Sequence, residues 1–300
     1  MRIVDAHHHL WDPSSIDYAL FHAVERLTPV MGAHRAEDYD AVAYANGVSG
    51  ALAVEAASAG ADYVAETDWL FAEASRSLVT RRVIAYAPVE QTNIADWLDA
   101  LVVRYGERLA GIRRTFEGVT PGFAFSDAVV AGIRAAAARG LPFDLVLFAD
   151  RLGDVVELVR RVPEAMFVLD HLGKPPLQRR VQPEWKAAIA SLARLPNVMA
   201  KVSGLVTESP SGVWDNALVR PYVDHAAACF GWERLMFGSD WPICELAGGY
   251  WRWLDFVADA SASDAAAEKS FFSGTAERVY GPIAGQPGAL PAGGEYQISS

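Results

Sequence analysis

Residues 2–9 of the chain read RIVDAHHH, an apolar run that becomes polar toward its carboxyl end. Side chains alternate between the two faces of a β-strand, so Ile3, Asp5, His7 and His9 are predicted to share one face. Two imidazoles would then stand side by side at the carboxyl end of the first strand. Imidazoles in such a place can bind a metal ion or polarise a carbonyl group.

Further short apolar runs follow, separated by segments of helical pattern that are rich in Ala and Leu. This alternation of strands and helices predicts a parallel sheet. Together with the first run, the predicted strands are Arg2–His9, Gly50–Ala57, Arg82–Val89, Leu109–Arg114, Pro142–Phe148, Met166–Leu172, Val198–Leu205 and Leu235–Trp241. Eight strand-helix units predict an α/β fold of the (β/α)8 TIM-barrel class.

Several of the intervening segments carry residues that start or stop helices. Ser126 precedes an amphipathic stretch that ends at Gly140, and Pro183 opens a helix that Pro196 closes. The loop 11–36 is longer than most connections between a strand and a helix. We expect this loop to form a lid or rim that shapes access to the barrel.

The chain is predicted to form one barrel domain over residues 1–282. Residues 283–300 are rich in Gly and Pro and lack a periodic apolar pattern. They are therefore predicted to be a C-terminal extension outside the barrel.

The composition favours a globular protein that acts on a small molecule. The 300 residues are 52% hydrophobic, enough to bury a large core, and the net charge is -11 with a pI near 5.1. Lys and Arg are scattered along the chain, which argues against nucleic acid or an anionic membrane as a partner. Cys229 and Cys244 are too few for a disulfide framework and do not form a CxxC site.

The sequence shows no signal for export or membrane insertion. Its first residues enter a strand pattern directly, without a basic segment and an apolar run before it. No apolar stretch reaches the roughly 18 residues that span a bilayer. We therefore expect a cytoplasmic protein, and the sequence leaves its oligomeric state open.

Polar residues stand at the carboxyl ends of predicted strands, where barrel enzymes build their active sites. His7 and His9 end the first strand, His171 ends the sixth and Asp240 ends the eighth. Taken alone, His171 fits a structural histidine and Asp240 fits the N-cap of the next helix. At one mouth of a closed barrel they would together supply a general base and groups that stabilise an oxyanion. We therefore predict all four as catalytic residues.

Further residues near the same strand ends are predicted to bind substrate. Alternation lets only one of Arg113 and Arg114 face inward, and we select Arg113. Arg113 and Lys201 are cations that can bind substrate oxygens. Trp11 and Trp241, next to the predicted catalytic residues, would supply apolar walls for a ring-shaped substrate.

Several segments resemble the amidohydrolase superfamily, and within it the branch of sugar-lactone and pyrone-dicarboxylate lactonases. They are residues 4–12 (VDAHHHLWD), 109–113 (LAGIR), 168–175 (VLDHLGKP), 201–208 (KVSGLVTE) and 236–242 (MFGSDWP), in the order and spacing of that branch. The Gly-Ser-Asp-Trp-Pro run is the most specific of them. The resemblance extends over residues 2–280 and implies the same barrel fold.

In this superfamily the paired histidines of the first strand and the aspartate of the eighth surround a hydrolytic water, and the aspartate is the general base. The resemblance assigns these roles to His7, His9 and Asp240, with His171 as their partner from the sixth strand. Glu55 stands where this branch often has Gln, and position 114 is Arg where the branch often has His.

The chain departs from the two-metal pattern of the superfamily, because no lysine ends the fourth strand and no histidine ends the fifth. A binuclear centre is therefore not expected. One divalent ion such as zinc, held by His7, His9, His171 and Asp240, is compatible with these residue types. Catalysis without a metal is equally compatible with the resemblance.

The resemblance implies a hydrolase of carbohydrate metabolism that opens a sugar lactone to its hydroxy acid. A lactone is an activated ester, so a base and an oxyanion site suffice, and no Gly-x-Ser-x-Gly nucleophile motif is present. The alternatives are a metal-dependent decarboxylase of the same superfamily, a pyrone-dicarboxylate lactonase and a barrel that binds a sugar acid without turnover. The missing fifth-strand histidine weighs against the first, and the few arginines at the mouth weigh against the second.

Overall fold

A parallel barrel of strands forms the centre of the protein. The computed structural model describes residues 1–56, 62–178, 180–209, 214–262 and 264–283. The strands pair in chain order from the first to the eighth, each parallel to the next. They are β1 (Ile3–His8), β2 (Val48–Val54), β3 (Thr80–Tyr86), β4 (Leu109–Thr115), β5 (Phe143–Val146), β6 (Phe167–Leu169), β7 (Val198–Val202) and β8 (Leu235–Phe237). The predicted (β/α)8 fold is confirmed.

The barrel closes where β1 meets the segment that follows β8. The backbone N–H of His9 donates to the carbonyl of Trp241 at 2.7 Å, and the N–H of Asp240 donates to the carbonyl of His7 at 2.8 Å. These bonds lie at the carboxyl ends of the two strands. Closure therefore places the histidines of β1 directly beside Asp240.

Helices surround the barrel and bury their apolar faces against it. They are α1 (Ala19–Ala23), α2 (Ala36–Ala45), α3 (Tyr63–Arg76), α4 (Ile94–Tyr105), α5 (Asp127–Ala137), α6 (Leu152–Arg161), α7 (Pro183–Ala193), α8 (Asn216–Phe230), α9 (Gly249–Ser261), α10 (Ala265–Lys269) and α11 (Thr275–Tyr280). The predicted helix starts at Ser126 and Pro183 are confirmed by α5 and α7. None of the helices in the described ranges has the length and apolar character needed to cross a lipid bilayer.

A bulge in β1 overturns one prediction from strand alternation. Between Asp5 and His8, β1 advances three residues while β2 advances two. The extra residue shifts the alternation, so Asp5 faces the helices, where its carboxylate accepts hydrogen bonds from the hydroxyls of one tyrosine on α2 and one on α9. His7 and His9 face the barrel axis. The prediction that Asp5 shares their face is wrong.

The last three strands end earlier than the apolar runs predict. The backbone becomes left-handed soon after each of them, with φ of +54° at His171, +59° at Gly204 and +60° at Asp240. A β-strand cannot continue through a residue in that conformation. The residues beyond each strand therefore form short turns that point functional side chains across the mouth.

Apolar side chains fill the lower half of the barrel interior. One cluster contains Val4, Leu52, Ile84, Ala110, Val168, Met199 and Met236 from the strands, with Tyr280 and Ile283 below them. Ile283, the first residue of the predicted C-terminal extension, is thus part of the barrel floor. Residues 284–300 of that extension lie outside the described residues, so the domain boundary stays a prediction.

Gly132 on α5 packs directly against the backbone of the segment that follows β3. A Cβ atom at this position would lie 1.9 Å from the carbonyl oxygen of Val89, whereas a Cβ at Gly153 on α6 would have nothing within 4 Å. Gly132→Ala is therefore expected to lower the free energy of unfolding by roughly 1–3 kcal/mol through overpacking. Gly153→Ala is expected to raise it by roughly 0.5–1 kcal/mol through helix propensity. Urea denaturation of both variants measures these changes, and equal effects would contradict the packing described here.

Candidate active site

The side chains predicted as catalytic converge at the carboxyl end of the barrel. His7, His9, His171 and Asp240 form one buried group. The Oδ1 atom of Asp240 lies 3.7 Å from Nε2 of His7, 3.5 Å from Nε2 of His9 and 4.0 Å from Nε2 of His171. The Nε2 atoms of His7 and His9 are 3.1 Å apart. Imidazole nitrogens from three residues thus surround one carboxylate oxygen.

Left-handed backbone at the ends of β6, β7 and β8 makes this convergence possible. Residues 171–174 all have positive φ, as do Gly204 and Asp240. A Cβ atom at Gly204 would lie 2.4 Å from Nδ1 of His171 and 2.8 Å from Oδ2 of Asp240, so glycine is required there. Each left-handed residue other than glycine costs about 1–2 kcal/mol, and such strain is concentrated at functional sites.

The partners of the imidazoles restrict where their protons lie. Nδ1 of His9 faces the backbone carbonyl of Val54 at 2.9 Å and must donate to it, because a carbonyl only accepts. Nδ1 of His7 lies 3.3 Å from Oδ1 of Asp170. With a proton on that Nδ1, the Nε2 lone pairs of His7 and His9 face each other. With the proton on Nε2 instead, His7 donates to His9.

The residues fit a single divalent cation. Ligand atoms on a tetrahedral zinc ion lie about 3.3 Å apart, close to the separations within this group. Oδ1 of Asp240 is buried and has no hydrogen-bond partner among the described residues. A cation would satisfy this oxygen and, with the proton of His7 on Nδ1, would also accept the two facing imidazole lone pairs. His7, His171 and Asp240 also offer ligand atoms within 4.8 Å of one another.

Burial and neighbouring charges set the protonation states of the group. Burial lowers the pKa of His171 to about 4, against the opposing effect of Asp240, and it lowers the pKa of His7 well below its usual range. Burial alone would raise the pKa of Asp240, but the three imidazoles outweigh it and hold that pKa below the usual range. At neutral pH, His7 and His171 are therefore neutral and Asp240 is ionised.

A network of buried charges lies directly beneath the imidazoles. The ammonium group of Lys201 is 2.5 Å from Oδ2 of Asp144, 3.0 Å from Oδ1 of Asp170 and 3.3 Å from Nδ1 of His7. The hydroxyl of Tyr280 donates to Asp144 at 2.6 Å. Burial raises the pKa of Asp144 to about 6, whereas Lys201 and His7 outweigh burial at Asp170 and lower its pKa. Asp170 thus holds His7 from below as an ionised carboxylate.

Arg113 extends this network to the wall of the pocket. Its guanidinium donates to Glu55 at 2.6 Å and to Asp170 at 3.1 Å, and Glu55 also accepts through its backbone carbonyl. Arg113 faces the barrel axis, as predicted, while Arg114 pairs with Glu90 at 2.9 Å. Arg113 is among the residues that line the pocket and is almost fully buried.

A pocket with a cavity volume of about 90 Å³ opens above this group of four side chains. His9, His171, Gly204 and Asp240 form its base, and the wall carries Arg26, Arg113, Thr115, Glu117, Val146, Phe148, Lys174, Thr207 and Glu208. Val24, Arg26 and Leu27 come from the loop 11–36, and the guanidinium of Arg26 reaches Glu208 at 3.2 Å. The loop therefore forms part of the pocket wall.

Three of the residues predicted to bind substrate lie away from this pocket. Lys201 is fully buried below the histidines, because the carboxylates of β5 and β6 hold its ammonium group inside the barrel. The indole of Trp11 is buried and donates to backbone carbonyls of the loop 11–36, and Trp241 packs against Tyr39. None of the three is among the residues that line the pocket. A direct contact of these three side chains with substrate stays a prediction, and their burial outside the pocket lining does not support it.

Several residues of the site were missed in the sequence. Asp144 and Asp170 each stand within or directly after an apolar strand, and a carboxylate in such a place must find a buried partner. That signal was present and would have pointed to Lys201 as the partner. Ser203, whose hydroxyl lies 2.9 Å from Nδ1 of His171, carried no comparable signal.

Comparison with known proteins is consistent with this geometry. A family model described as amidohydrolase matches residues 4–281. An L-fucono-1,5-lactonase of Burkholderia multivorans (strain ATCC 17616 / 249) is 32% identical, over 92% of this chain and 95% of the relative. An L-fucono-1,5-lactonase of Burkholderia ambifaria is 29% identical, over 84% of this chain and 85% of that protein.

A solved structure is also similar over nearly its whole length. The crystal structure of an amidohydrolase from Burkholderia multivorans with bound zinc superimposes with a TM-score of 0.84. The two chains are 28% identical, and the match covers 93% of this chain and 99% of that chain.

The lowered pKa of His171 predicts how stability changes with pH in protein freed of metal by a chelator. The folded protein resists protonation of this imidazole, so the free energy of unfolding should fall as the pH drops from the unfolded value near 6.5 to about 4. His171→Asn should flatten this part of the curve, because it removes the imidazole whose protonation the folded protein resists. Urea midpoints between pH 7 and pH 4.5 measure the slopes. A slope in His171→Asn equal to that of the wild type would contradict the buried neutral imidazole.

Proposed function

The chain belongs to the amidohydrolase family, and on this premise we propose that it is a hydrolase that opens the ester ring of a sugar lactone. The observation that carries the proposal is the buried Asp240 carboxylate at the base of the pocket, with imidazole nitrogens around its Oδ1 atom. The names of the two Burkholderia relatives support a sugar lactone as the substrate class.

Asp240 acts as the general base in this proposal. Its carboxylate is ionised at neutral pH and takes a proton from a water that lies against the lactone carbonyl. The water oxygen bonds to the carbonyl carbon and gives a tetrahedral oxyanion. When the carbonyl reforms, the bond to the ring oxygen breaks, and the proton held by Asp240 passes to that oxygen. The product is an open hydroxy acid.

His7, His9 and Asp240 are the residues that would hold one divalent ion. Their ligand atoms are the closest set in the group, and a catalytic ion needs an open position for water or substrate. When bound, such an ion polarises the carbonyl group and lowers the pKa of a coordinated water. Oδ1 of Asp170 lies 3.3 Å from Nδ1 of His7, so a proton on that nitrogen would face the carboxylate and leave Nε2 free for the ion.

His171 is placed to stabilise the oxyanion. It lines the pocket, and its Nε2 is farther from Asp240 than the Nε2 atoms of His7 and His9. Because the imidazole is neutral, a Ser203 hydroxyl that donates to Nδ1 leaves the proton on Nε2. That N–H can donate to the carbonyl oxygen as negative charge develops on it.

The charges of the pocket favour an uncharged substrate over a pyrone dicarboxylate. Each cation that lines the described part of the pocket already has a carboxylate partner: Arg26 with Glu208, Arg113 with Glu55, and Lys174 with Glu117. A dicarboxylate would need cations that are free to form paired hydrogen bonds with it. Hydroxyl groups can instead donate to the carboxylates and accept from the cations. A polyhydroxylated neutral lactone therefore fits this pocket better.

A pH-indicator assay of lactone hydrolysis tests the proposal. The purified protein should release acid from L-fucono-1,5-lactone or a related aldonolactone, and a chelator should reduce the rate if the ion is required. Asp240→Asn should lower kcat by roughly a hundred- to ten-thousandfold, because it removes the base. Asp259→Asn, at an exposed carboxylate on α9, should leave kcat unchanged. Full turnover by Asp240→Asn, or no acid release from any sugar lactone, would overturn the proposed function.

A further inference from the structure

An ion pair stands on the wall of the pocket above the catalytic group. Nζ of Lys174 lies 2.5 Å from Oε1 of Glu117, and the two side chains are 17% and 25% exposed. Glu117 follows β4 and Lys174 follows β6, so both project from the carboxyl end of the barrel. Both line the same pocket as His171 and Asp240. The pair is thus half-buried and faces the space where a substrate would lie.

The backbone that carries Lys174 is strained. Lys174 has φ of +42° and is the last of four consecutive left-handed residues that begin at His171. A left-handed lysine is unfavourable, and such a conformation persists only where the surrounding structure enforces it. The turn links the position of Lys174 rigidly to that of His171. His171 and Lys174 are therefore the two ends of one short, strained turn.

An exposed aromatic ring lies beside the pair. Nζ of Lys174 is 5.4 Å from the centre of the Phe148 ring, which lines the pocket. Phe148 is 44% exposed, although a large apolar side chain at such a position is usually covered. The ammonium group of Lys174 lies over the ring, and the exposed part of the ring offers an apolar surface next to a cation and a carboxylate. Sugar rings have the matching chemistry, with C–H groups on one face and hydroxyls at the edge.

We propose that Glu117, Lys174 and Phe148 form the subsite that recognises the ring hydroxyls of the substrate. The orientation of the substrate in this subsite rests on the proposed lactone hydrolysis, which places the substrate carbonyl at Asp240. The C–H face of the ring packs on Phe148, and neighbouring hydroxyls bond to the ion pair. An ammonium carries three N–H donors and a carboxylate about four acceptor sites, so each partner keeps capacity for a hydroxyl.

A second ion pair of the protein supplies a matched control. Arg114 and Glu90 pair at 2.9 Å, and their side chains are 16% and 25% exposed, almost the same as Lys174 and Glu117. They also stand at the carboxyl end of the barrel, but neither is among the residues that line the pocket. Glu90→Gln therefore removes a similar charge from a similar environment without touching the subsite.

Binding and turnover with matched ligands test the subsite. The dissociation constant for L-fucose, an unreactive pyranose, is measured by calorimetry for the wild type, Glu117→Gln, Phe148→Ala and Glu90→Gln. Glu117→Gln should weaken binding roughly ten- to hundredfold, the size of a hydrogen bond to a charged group, and Phe148→Ala roughly two- to tenfold. Glu90→Gln should bind as the wild type does. Circular dichroism melts check that each variant is folded.

The same variants are then compared on L-fucono-1,5-lactone and on δ-valerolactone, which has no hydroxyls. Glu117→Gln should raise KM for the sugar lactone roughly ten- to hundredfold and should change kcat/KM for δ-valerolactone far less, because that lactone has no hydroxyl to lose a hydrogen bond. Equal losses on both lactones, L-fucose binding by Glu117→Gln equal to that of the wild type, or no binding of L-fucose by the wild type would overturn the subsite. If L-fucose binds as predicted but no lactone is hydrolysed, the subsite stands and the proposed function fails.

Discussion

The buried ammonium group of Lys201 is the constraint on which the rest of the site depends. A charge at the centre of a barrel is tolerated only when opposite charges pair with it, and Asp144 and Asp170 supply them at 2.5 and 3.0 Å. The same ion pairs divide the barrel interior into two parts. Apolar side chains fill the part below Lys201, and the imidazoles occupy the part above. Asp170 connects the two parts of the interior, because its Oδ1 atom lies 3.0 Å from Nζ of Lys201 and 3.3 Å from Nδ1 of His7.

The mouth of the barrel is shaped by backbone that leaves the strand conformation early. After β6, β7 and β8 the chain turns left-handed, and at Gly204 no side chain could be accommodated beside His171 and Asp240. This strain is compensated by the apolar packing of the strands and helices around it. Because of this left-handed backbone, side chains from three separate strand ends lie within hydrogen-bond or ion-pair distance of one another. The turn at residues 171–174 also carries Lys174 onto the pocket wall, so that one segment positions the His171 imidazole at the base of the pocket and a polar group of the wall together.

The fold was largely predictable, because the rhythm of apolar runs and helical segments is repeated along the whole chain. The direction in which side chains point from the strands, and the residues at which the strands end, were less predictable. The bulge in β1 places Asp5 on the opposite face of the strand, and the alternating pattern of RIVDAHHH does not indicate a bulge. Lys201 was expected at the pocket because a strand-end cation usually faces solvent, yet its two partners lie on other strands. Phe148 was read only as part of an apolar run, since its exposure follows from loop geometry that the sequence does not reveal.

Together these features support the proposal that water, rather than a side chain, attacks the substrate. No nucleophilic serine or cysteine lines the described part of the pocket, and Asp240 is surrounded by imidazoles that favour its ionised form. The most direct test is a single turnover of a sugar lactone with enzyme in excess, in water enriched in 18O, followed by mass spectrometry of the hydroxy acid. If water attacks the carbonyl, one 18O atom should appear in the product carboxylate in that first turnover. An unlabelled product, with the label found in Asp240, would show that the carboxylate attacks the lactone directly and would contradict the account.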